Sequence, residues 1–411
     1  MGEPSRLDRI EDIKARNALS KKAAFGKDID FSQYREKAKD HDYPKSLADL
    51  SPEDKEQMLR VGVDVEENER AGTFVQMDHS VIHCGATQEG IELLSTSEAR
   101  ERYPWLSDYW WKALAVDADK YTARAELHQE HGYFIRALPG VKAIFPLQAC
   151  LYIGQEGLEQ DVHNIVIAEE GSELHIISGC ATGAHVTSGL HIGVSEFYVK
   201  KGARVTFTMI HNWGEQVAVR PRTGTIVEEG GIFLSNYVSM NPVRDLQMYP
   251  TTYLKGPGAI ARYHTIVVAP EGSNLDVGSR VVLQAPDTRA EIIARTLTTG
   301  GTIINRGCLV GETPGVKAHL ECRGLMLGDK GIIQAIPELL AKAPNLDLSH
   351  EAAVGKIAPE EIEYLMARGL SEEQATAVIV RGFLNVQITG LPSHLQAQID
   401  RAIASSQEKG L

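Results

Sequence analysis

A mainly β protein with helical ends is the fold class this sequence predicts, and three observations predict it. From about residue 131 to 334, short β-rich runs recur, among them Asn164 to Ala168, Leu174 to Ser178, Arg204 to Ile210, Ala261 to Val268, Ser279 to Gln284 and Glu291 to Thr296. Polar turns with glycine punctuate them at 171, 202, 231, 272 and 301, at intervals of 31, 29, 41 and 29 residues. No amphipathic helix of roughly 10–15 residues interrupts the region, which disfavours alternating βαβ units. A sandwich and a solenoid both accommodate such strands. The loose repeat favours a parallel β-helix, whose coils stack on one another and hide their backbone edges.

The flanks read differently. Residues 1–130 form an amino-terminal helical and α+β region, with helix-friendly stretches over Arg6 to Lys22, Asp30 to Lys39 and Lys55 to Val61. Ser51 as N-cap, Pro52 at the first helical position and Glu53-Asp54 in the first turn make a strong helix start. Phe74 to Cys84 and Gly90 to Leu94 read as short strands, and Trp105, Tyr109, Trp110 and Trp111 form an aromatic patch that seats this region on the rest. Residues 335–411 read as a carboxy-terminal helical region. It has pieces at Pro337 to Ala343 and Pro359 to Arg368, then a helix opened by a Ser371/Gln374 capping box and continued through Ala375, Val378, Ile379 and Phe383. A helical hairpin broken at Gly369 exposes Leu365, Met366, Val378 and Ile379, which need either a neighbour or the protein's own β core.

Bulk composition excludes several classes. The 411-residue chain carries a formal charge of −13, which argues against a nucleic-acid backbone or an anionic membrane surface as the main partner. No stretch has the length of a membrane span, and Met1-Gly2-Glu3-Pro4 does not read as a signal peptide. The five cysteines (84, 150, 180, 308 and 322) are odd in number, scattered and without a CxxC spacing. That pattern predicts reduced thiols in a cytoplasm, not a disulfide framework, a zinc ribbon or a self-contained ferredoxin cluster. The chain also lacks a GxxxxGK[ST] loop, a GxGxxG fingerprint and a GxSxG elbow, so it is not expected to bind ATP or to act as a serine hydrolase.

The residues with the most chemical content lie at Glu321-Cys322-Arg323, at Ser349-His350-Glu351 and at Cys180. A thiol, an imidazole and a carboxylate form a mixed soft and hard donor set suited to iron, and a thiolate is also a natural sulfur carrier. Each has a plainer reading. A lone cysteine at a strand end is commonly buried filler, and His350-Glu351 at a helix start would satisfy backbone donors. A thiol of ordinary pKa is only about 3% thiolate at pH 7, so a sulfur-handling cysteine needs a lowered pKa or an activated donor. Arg323 and His319 stand near Cys322 in sequence, although alternation along a strand would turn Arg323 away. His79, His83 and Cys84 have helical zinc spacing in a stretch that reads as β, where the spacing separates the ligands too far.

The segments Asn164 to Ala168, Ile177-Ser178-Gly179-Cys180, His211-Asn212-Trp213 and Ser349-His350-Glu351-Ala352-Ala353-Val354-Gly355-Lys356-Ile357 resemble the SufB/SufD family of iron–sulfur cluster assembly scaffolds. So does Met366 to Ala375 with Val380-Arg381-Gly382-Phe383-Leu384, and the likeness spans about residues 130–390. The short length and Arg70 to Gln76 look like the archaeal type of SufB. The resemblance implies a right-handed parallel β-helix between helical ends and a scaffold without its own enzymatic activity. Its partners would be a SufC-like ABC ATPase docked on the carboxy-terminal helices, a second copy or a SufD-like paralogue, a sulfur donor and apoprotein acceptors. By the same resemblance Cys180 falls on the sulfur-accepting cysteine, and Cys322, Glu351 and His350 fall on groups implicated in holding a transient iron–sulfur cluster. Family members line the coil interior with polar groups that pass sulfur between the cysteines. Here Gln-Asn-Trp reads His211-Asn212-Trp213, and upstream Arg and Asn positions read Tyr152 and Gly154. Some complexes of that family bind flavin, and the sequence does not decide flavin binding for this chain. Two rivals are a carbohydrate-active β-helix enzyme using paired carboxylates in an outer groove, and an adaptor that only docks an ATPase.

Overall fold

The computed structural model describes residues 9–39, 43–129 and 131–384. Its helices are α1 (Ile10–Ala18), α2 (Pro52–Arg60), α3 (Thr96–Arg102), α4 (Lys120–His128), α5 (Pro359–Met366) and α6 (Glu372–Leu384). The early strands are β1 (Gly72–Met77), β2 (Ser80–Ala86), β3 (Ile91–Ser95), β4 (Tyr133–Ala137), β5 (Leu147–Ile153), β6 (Leu158–Ala168), β7 (Glu173–Thr182), β8 (Ser188–Val199) and β9 (Arg204–Asn212). Short strands follow at β10 (Gln216–Val219), β11 (Arg222–Val227), β12 (Ile232–Ser239), β13 (Asp245–Met248) and β14 (Thr251–Leu254). Long ones complete the series: β15 (Ile260–Ala269), β16 (Asn274–Leu283), β17 (Arg289–Thr298), β18 (Thr302–Gly311), β19 (Lys317–Met326), β20 (Ile332–Ala341) and β21 (Asp347–Lys356).

The strands wind between two sheets. One runs β2-β1-β5-β7-β9-β12-β15-β17-β19-β21; the other starts at β3-β4-β6-β8 and ends at β16-β18-β20. Apart from the pairs β1–β2 and β3–β4 the ladders are parallel, so the chain is a β-solenoid. Each coil takes 27 to 31 residues, as the partners Gly224↔Thr251, Ile232↔Ile260, Lys317↔Asp347 and Glu173↔Arg204 show.

The glycine spacing has a geometric cause. Gly171, Gly202, Gly230 and Gly258 all have left-handed φ and stack at one corner. The N–H of each donates to the next coil, at Lys201, Glu229, Pro257 and Pro286. Asp287, Gly315 and Asn345 continue the column with the same φ, and Asp and Asn are the side chains that tolerate it best. Gly272 and Gly300-Gly301 lie at a different corner, which is why one interval in the sequence is irregular.

Alternation sorts the side chains. Leu174, Ile176, Phe197, Phe207 and Phe233 fill the space between the sheets, with the rings of Phe197 and Phe207 4.8 Å apart. The outer face of the first sheet is covered by α2 at its β5–β9 end, through Met58 and Val61 against Cys150, Tyr152, Ala181 and Ile210. Farther along, Val380 and Leu384 of α6 cover Leu297 and Leu325. The outer face of the second sheet carries α1, α4 and the aromatic patch, where Trp110, Trp111 and Tyr121 meet Ile165, Ile167, Leu190 and Val194.

Several helix readings fail here. Pro337 to Ala343 is not a helix: most of it lies in β20, where Ile303↔Ile333 and Gly307↔Pro337 continue the coil. The Ala, Glu and Leu content gives that stretch helical propensity, and the ladder overrides it. Pro337 is tolerated because β20 is an edge strand with only β18 beside it. Likewise Ser349-His350-Glu351 opens no helix but lies within β21, so the solenoid continues past residue 334 to Lys356. Asp30 to Lys39 reduces to a 3-10 turn at Phe31–Gln33, and the helix read from Arg6 covers only Ile10–Ala18 among the described residues. The Ser51 cap and the Ser371/Gln374 capping box both form, with Asp54 N to Ser51 Oγ at 3.1 Å and Ser371 N to Gln374 Oε1 at 2.9 Å.

Candidate functional site

Cys180 and Cys322 lie on the same face of the same sheet. Both belong to the core between the sheets, and each is 1% exposed. Four strands separate their strands, so the sulfurs stand about 24 Å apart at the usual spacing of neighbouring strands. Two columns of inward side chains join them. One runs Ser178, Met209, Tyr237, Thr265, Ala294, Cys322; the other starts at Cys180 and runs His211, Ser239, Val267, Thr296, Gly324. About half of these positions are polar, which is unusual inside a coil.

Polar and aromatic side chains surround Cys180 in the interior. His211 is its direct cross-strand partner. The Tyr237 hydroxyl lies 2.8 Å from His211 Nδ1, and the Trp213 ring centroid is 5.4 Å from that of His211. His191 stacks at 5.0 Å on Trp213 and donates from Nδ1 to Gln160 Oε1 at 3.0 Å. Burial pushes the Cys180 thiol up to about 12, with the Ser178 hydroxyl pulling weakly the other way. Burial also holds His211 well below its ordinary value, so both groups are neutral at pH 7. Sequence reasoning did not single out Tyr237, Ser178 or His191. The coil length was the signal that reaches the first two, because stepping one coil at a time from 178 leads to 209 and 237.

Of the two upstream positions, Tyr152 faces away from this interior. It belongs to the outer cluster beneath α2, and its hydroxyl donates to Asp54. Gly154 lies beside Asp78, whose Oδ1 accepts its N–H at 2.7 Å. Neither takes the place of an interior polar group.

At the other end, Cys322 is one strand from the rim. Its thiol is pushed up to about 11, by burial first and by Glu321 second, with Arg295 opposing. Arg323 does not serve the thiol. It points to the outer face, where it binds Glu321 at 2.6 Å and Glu351 at 3.1 Å. His319 is on that outer face as well, against Ser349 Oγ at 2.9 Å.

The candidate ligands therefore divide. Leu320 pairs with His350, and Cys322 with Ala352, so His350 shares the inner face with Cys322 as its diagonal neighbour. Glu351 pairs with Glu321 and stands on the outer face. Among the described residues, no three His, Cys, Asp or Glu side chains are grouped to hold a metal. Among the described residues nothing covers the rim: β20 and β21 end the two sheets, and Ile332, Leu339, Leu340 and Val354 are exposed on them.

The remaining candidates have structural partners. His79 reaches the Glu159 carbonyl at 2.8 Å, His83 pairs with Glu67 at 3.1 Å, and the Cys84 thiol donates to the Leu93 carbonyl at 3.5 Å. All five cysteines are free.

Residues 152–383 match the family model described as SUF system FeS cluster assembly, SufBD core domain. An iron–sulfur cluster assembly SufBD family protein of Methanothermobacter thermautotrophicus is 51% identical over 399 residues, covering 96% of this chain and 97% of that one. A SufBD family protein of Archaeoglobus fulgidus is 52% identical over 350 residues, covering 85% and 94%. The Bacillus subtilis iron–sulfur cluster assembly protein SufB is 29% identical over 374 residues, covering 89% and 80%. A family model spanning more than half the chain and archaeal relatives alike along nearly its full length lead to one assignment: the chain belongs to the SufBD family of iron–sulfur cluster assembly proteins.

Proposed function

We propose that this chain is the scaffold subunit of a Suf-type assembly complex in the cytoplasm. Cys180 accepts sulfur, and a transient iron–sulfur cluster is built at the rim from Cys322, His350 and Glu351 together with groups of a second subunit, then released to apoproteins. One observation carries this reading: two free thiols share the inner face of a single sheet, and one of them lies one strand from the end of that sheet. An incomplete ligand set suits a cluster that must leave, because four thiolates would retain it. The second subunit, a copy of this chain or a SufD-like paralogue, would cover the edges of β20 and β21, whose outer backbone has no strand partner among the described residues and whose exposed Leu339, Leu340 and Val354 invite strand addition.

Both thiols are protonated at neutral pH, so sulfur must arrive from an activated donor and iron must displace the Cys322 proton. Anaerobic reconstitution with ferrous iron and sulfide tests the cluster site. Wild type develops visible cluster absorption and Cys322→Ala loses it; equal absorption in both removes Cys322 from the site.

The chain carries no phosphate-binding loop, and the scaffold is no enzyme in this reading; ATP hydrolysis belongs to a SufC-like ABC ATPase on the helical hairpin. α6 buries Ala375, Val380 and Leu384, while Tyr364, Met366 and Val378 remain exposed. Met366→Glu with Val378→Glu is expected to lower capture of the ATPase at least tenfold in a pull-down, with the thermal midpoint unchanged. Undiminished capture would move the docking site elsewhere.

A further inference from the structure

We propose that the buried carboxyl pair Glu159 and Asp161 keeps one proton at neutral pH, and that this proton, acting through Arg124, clamps residues 31–39 onto the second sheet. The pair lies on the outer face of that sheet, and the inference is independent of the sulfur chemistry proposed above.

The first observation is a buried charge count that does not close. Glu159 and Asp161 stand two residues apart on one face of β6, at 0% and 7% exposure. One guanidinium serves them. Arg124 of α4 donates to both oxygens of Glu159, from Nε and from Nη2 at 2.8 Å. Asp161 has Glu159 within hydrogen-bonding reach, and its Oδ1 has no partner among the described residues.

The other titratable groups around the pair are acidic or engaged elsewhere. His163, next on the same face of β6, meets Glu196 at 3.0 Å, and Glu126 of α4 accepts from Trp110, Trp111 and Arg9. Burial first, and Arg124 second, hold His128 below its ordinary value, so it is neutral. His79 meets the Glu159 carbonyl at 2.8 Å, and His131 meets Ser97 Oγ at 3.0 Å. On β8 the register partner of Asp161 is Ile192. A dry carboxylate without its own cation takes a proton rather than stay ionised. Burial raises Asp161 well above the ordinary carboxylate range, and the Glu159 charge adds to the effect.

The second observation is that the same guanidinium holds the amino-terminal segment. Arg124 Nη2 donates to Glu36 at 2.8 Å, and the guanidinium centre lies 4.4 Å from the Phe31 ring. That hydrogen bond holds the Glu36 carboxyl below its ordinary value. The segment's backbone is tied directly over the pair: Arg35 N donates to the Gly157 carbonyl and Glu159 N to the Arg35 carbonyl, both at 2.9 Å.

Sharing one cation couples the two. When the Asp161 proton leaves to solvent, a second full charge appears beside Glu159 in a site of low dielectric. Arg124 then turns toward Asp161, Glu36 loses its partner, and residues 31–39 lift so that water reaches the pair. The sign follows from linkage. A carboxyl raised by folding binds its proton more tightly folded than unfolded, so its stabilisation is present at low pH and is lost as pH rises through the raised value.

The test follows the full chain by hydrogen exchange with mass spectrometry and by thermal unfolding, from about pH 6 to about pH 9. After correction for the intrinsic base-catalysed rate, exchange over 31–39 is expected to rise about fivefold or more in wild type. Asp161→Asn, which mimics the protonated acid, should stay at the slow level throughout. Its thermal midpoint should match wild type at the acidic end and exceed it by about 2 °C or more at the alkaline end. Glu36→Gln leaves the pair intact, so exchange should be fast already at the acidic end while the midpoint still falls with pH. Parallel exchange profiles in wild type and Asp161→Asn overturn the proposal. So does a flat wild-type profile, which is readable even if Asp161→Asn does not fold. A midpoint that depends on Asp161 with no change over 31–39 overturns the clamp.

Discussion

Glu196→Ala is expected to destabilise the protein by about 3–5 kcal/mol, the cost of emptying one side of a buried ionic and hydrogen-bonded site. Glu196 is completely buried on the outer face of the second sheet. Its carboxylate accepts from the backbone N–H of Trp111 at 2.6 Å, of Ala113 at 2.7 Å and of Leu114 at 3.3 Å. It also accepts the Tyr198 hydroxyl at 2.8 Å and lies 3.0 Å from His163 Nε2. The loop that carries Trp110 and Trp111 can come this close because Gly224 is the cross-strand partner of Glu196. A Cβ at Gly224 would stand 2.3 Å from the Ala113 carbonyl oxygen. The neighbouring carboxylate of Glu126 takes both indole N–H groups, at 2.9 and 2.7 Å, and Arg9 at 2.8 Å. Urea unfolding monitored by tryptophan fluorescence should show the lost stability, and the fluorescence change should come before the loss of β signal. A cost below about 1 kcal/mol would mean that the loop reseats on water and that the carboxylate does not hold it.

The second large effect concerns the rim. His350→Ala should reduce iron retained after reconstitution about tenfold or more, whereas Glu351→Gln should reduce it by no more than about threefold. Even partners that merely support a metal ligand are worth about 10–100-fold in affinity, and a ligand is worth no less. His350 shares the inner face with Cys322, while Glu351 lies across the sheet and is engaged by Arg323 at 3.1 Å. It must leave that ion pair and turn around the end strand before it meets the same metal. The pair with Arg323 is half-exposed and weak, so Glu351 can be recruited, at lower occupancy. Iron content by a chelator assay, with circular dichroism to check folding, decides the order. Equal losses in the two variants would show that the last strand changes register when a second subunit joins it.

The contrast between these residues shows where sequence reading stops. His350-Glu351 read as a helix start cannot be assigned to faces, whereas the same residues in a strand must point to opposite sides. The misreading came from residues 332–356, where Ala and Leu are the commonest residues and local preference favours a helix. The preceding coil settles it by offering a full ladder of hydrogen bonds, a non-local fact. His211 illustrates the same limit. Its departure from the family's Gln was visible at once, but its partner Tyr237 is 26 residues away and becomes a neighbour only through the coil.

By itself the sequence determined the repeated β architecture, the glycine turns, the free thiols and the family resemblance, because each depends on local residue chemistry or on spacing along the chain. The length of the solenoid, the shared inner face of Cys180 and Cys322 and the opposite facing of Glu351 were decided by tertiary structure. Those properties depend on which strands stack and in what register, and register is set by many weak contacts between residues about one coil apart.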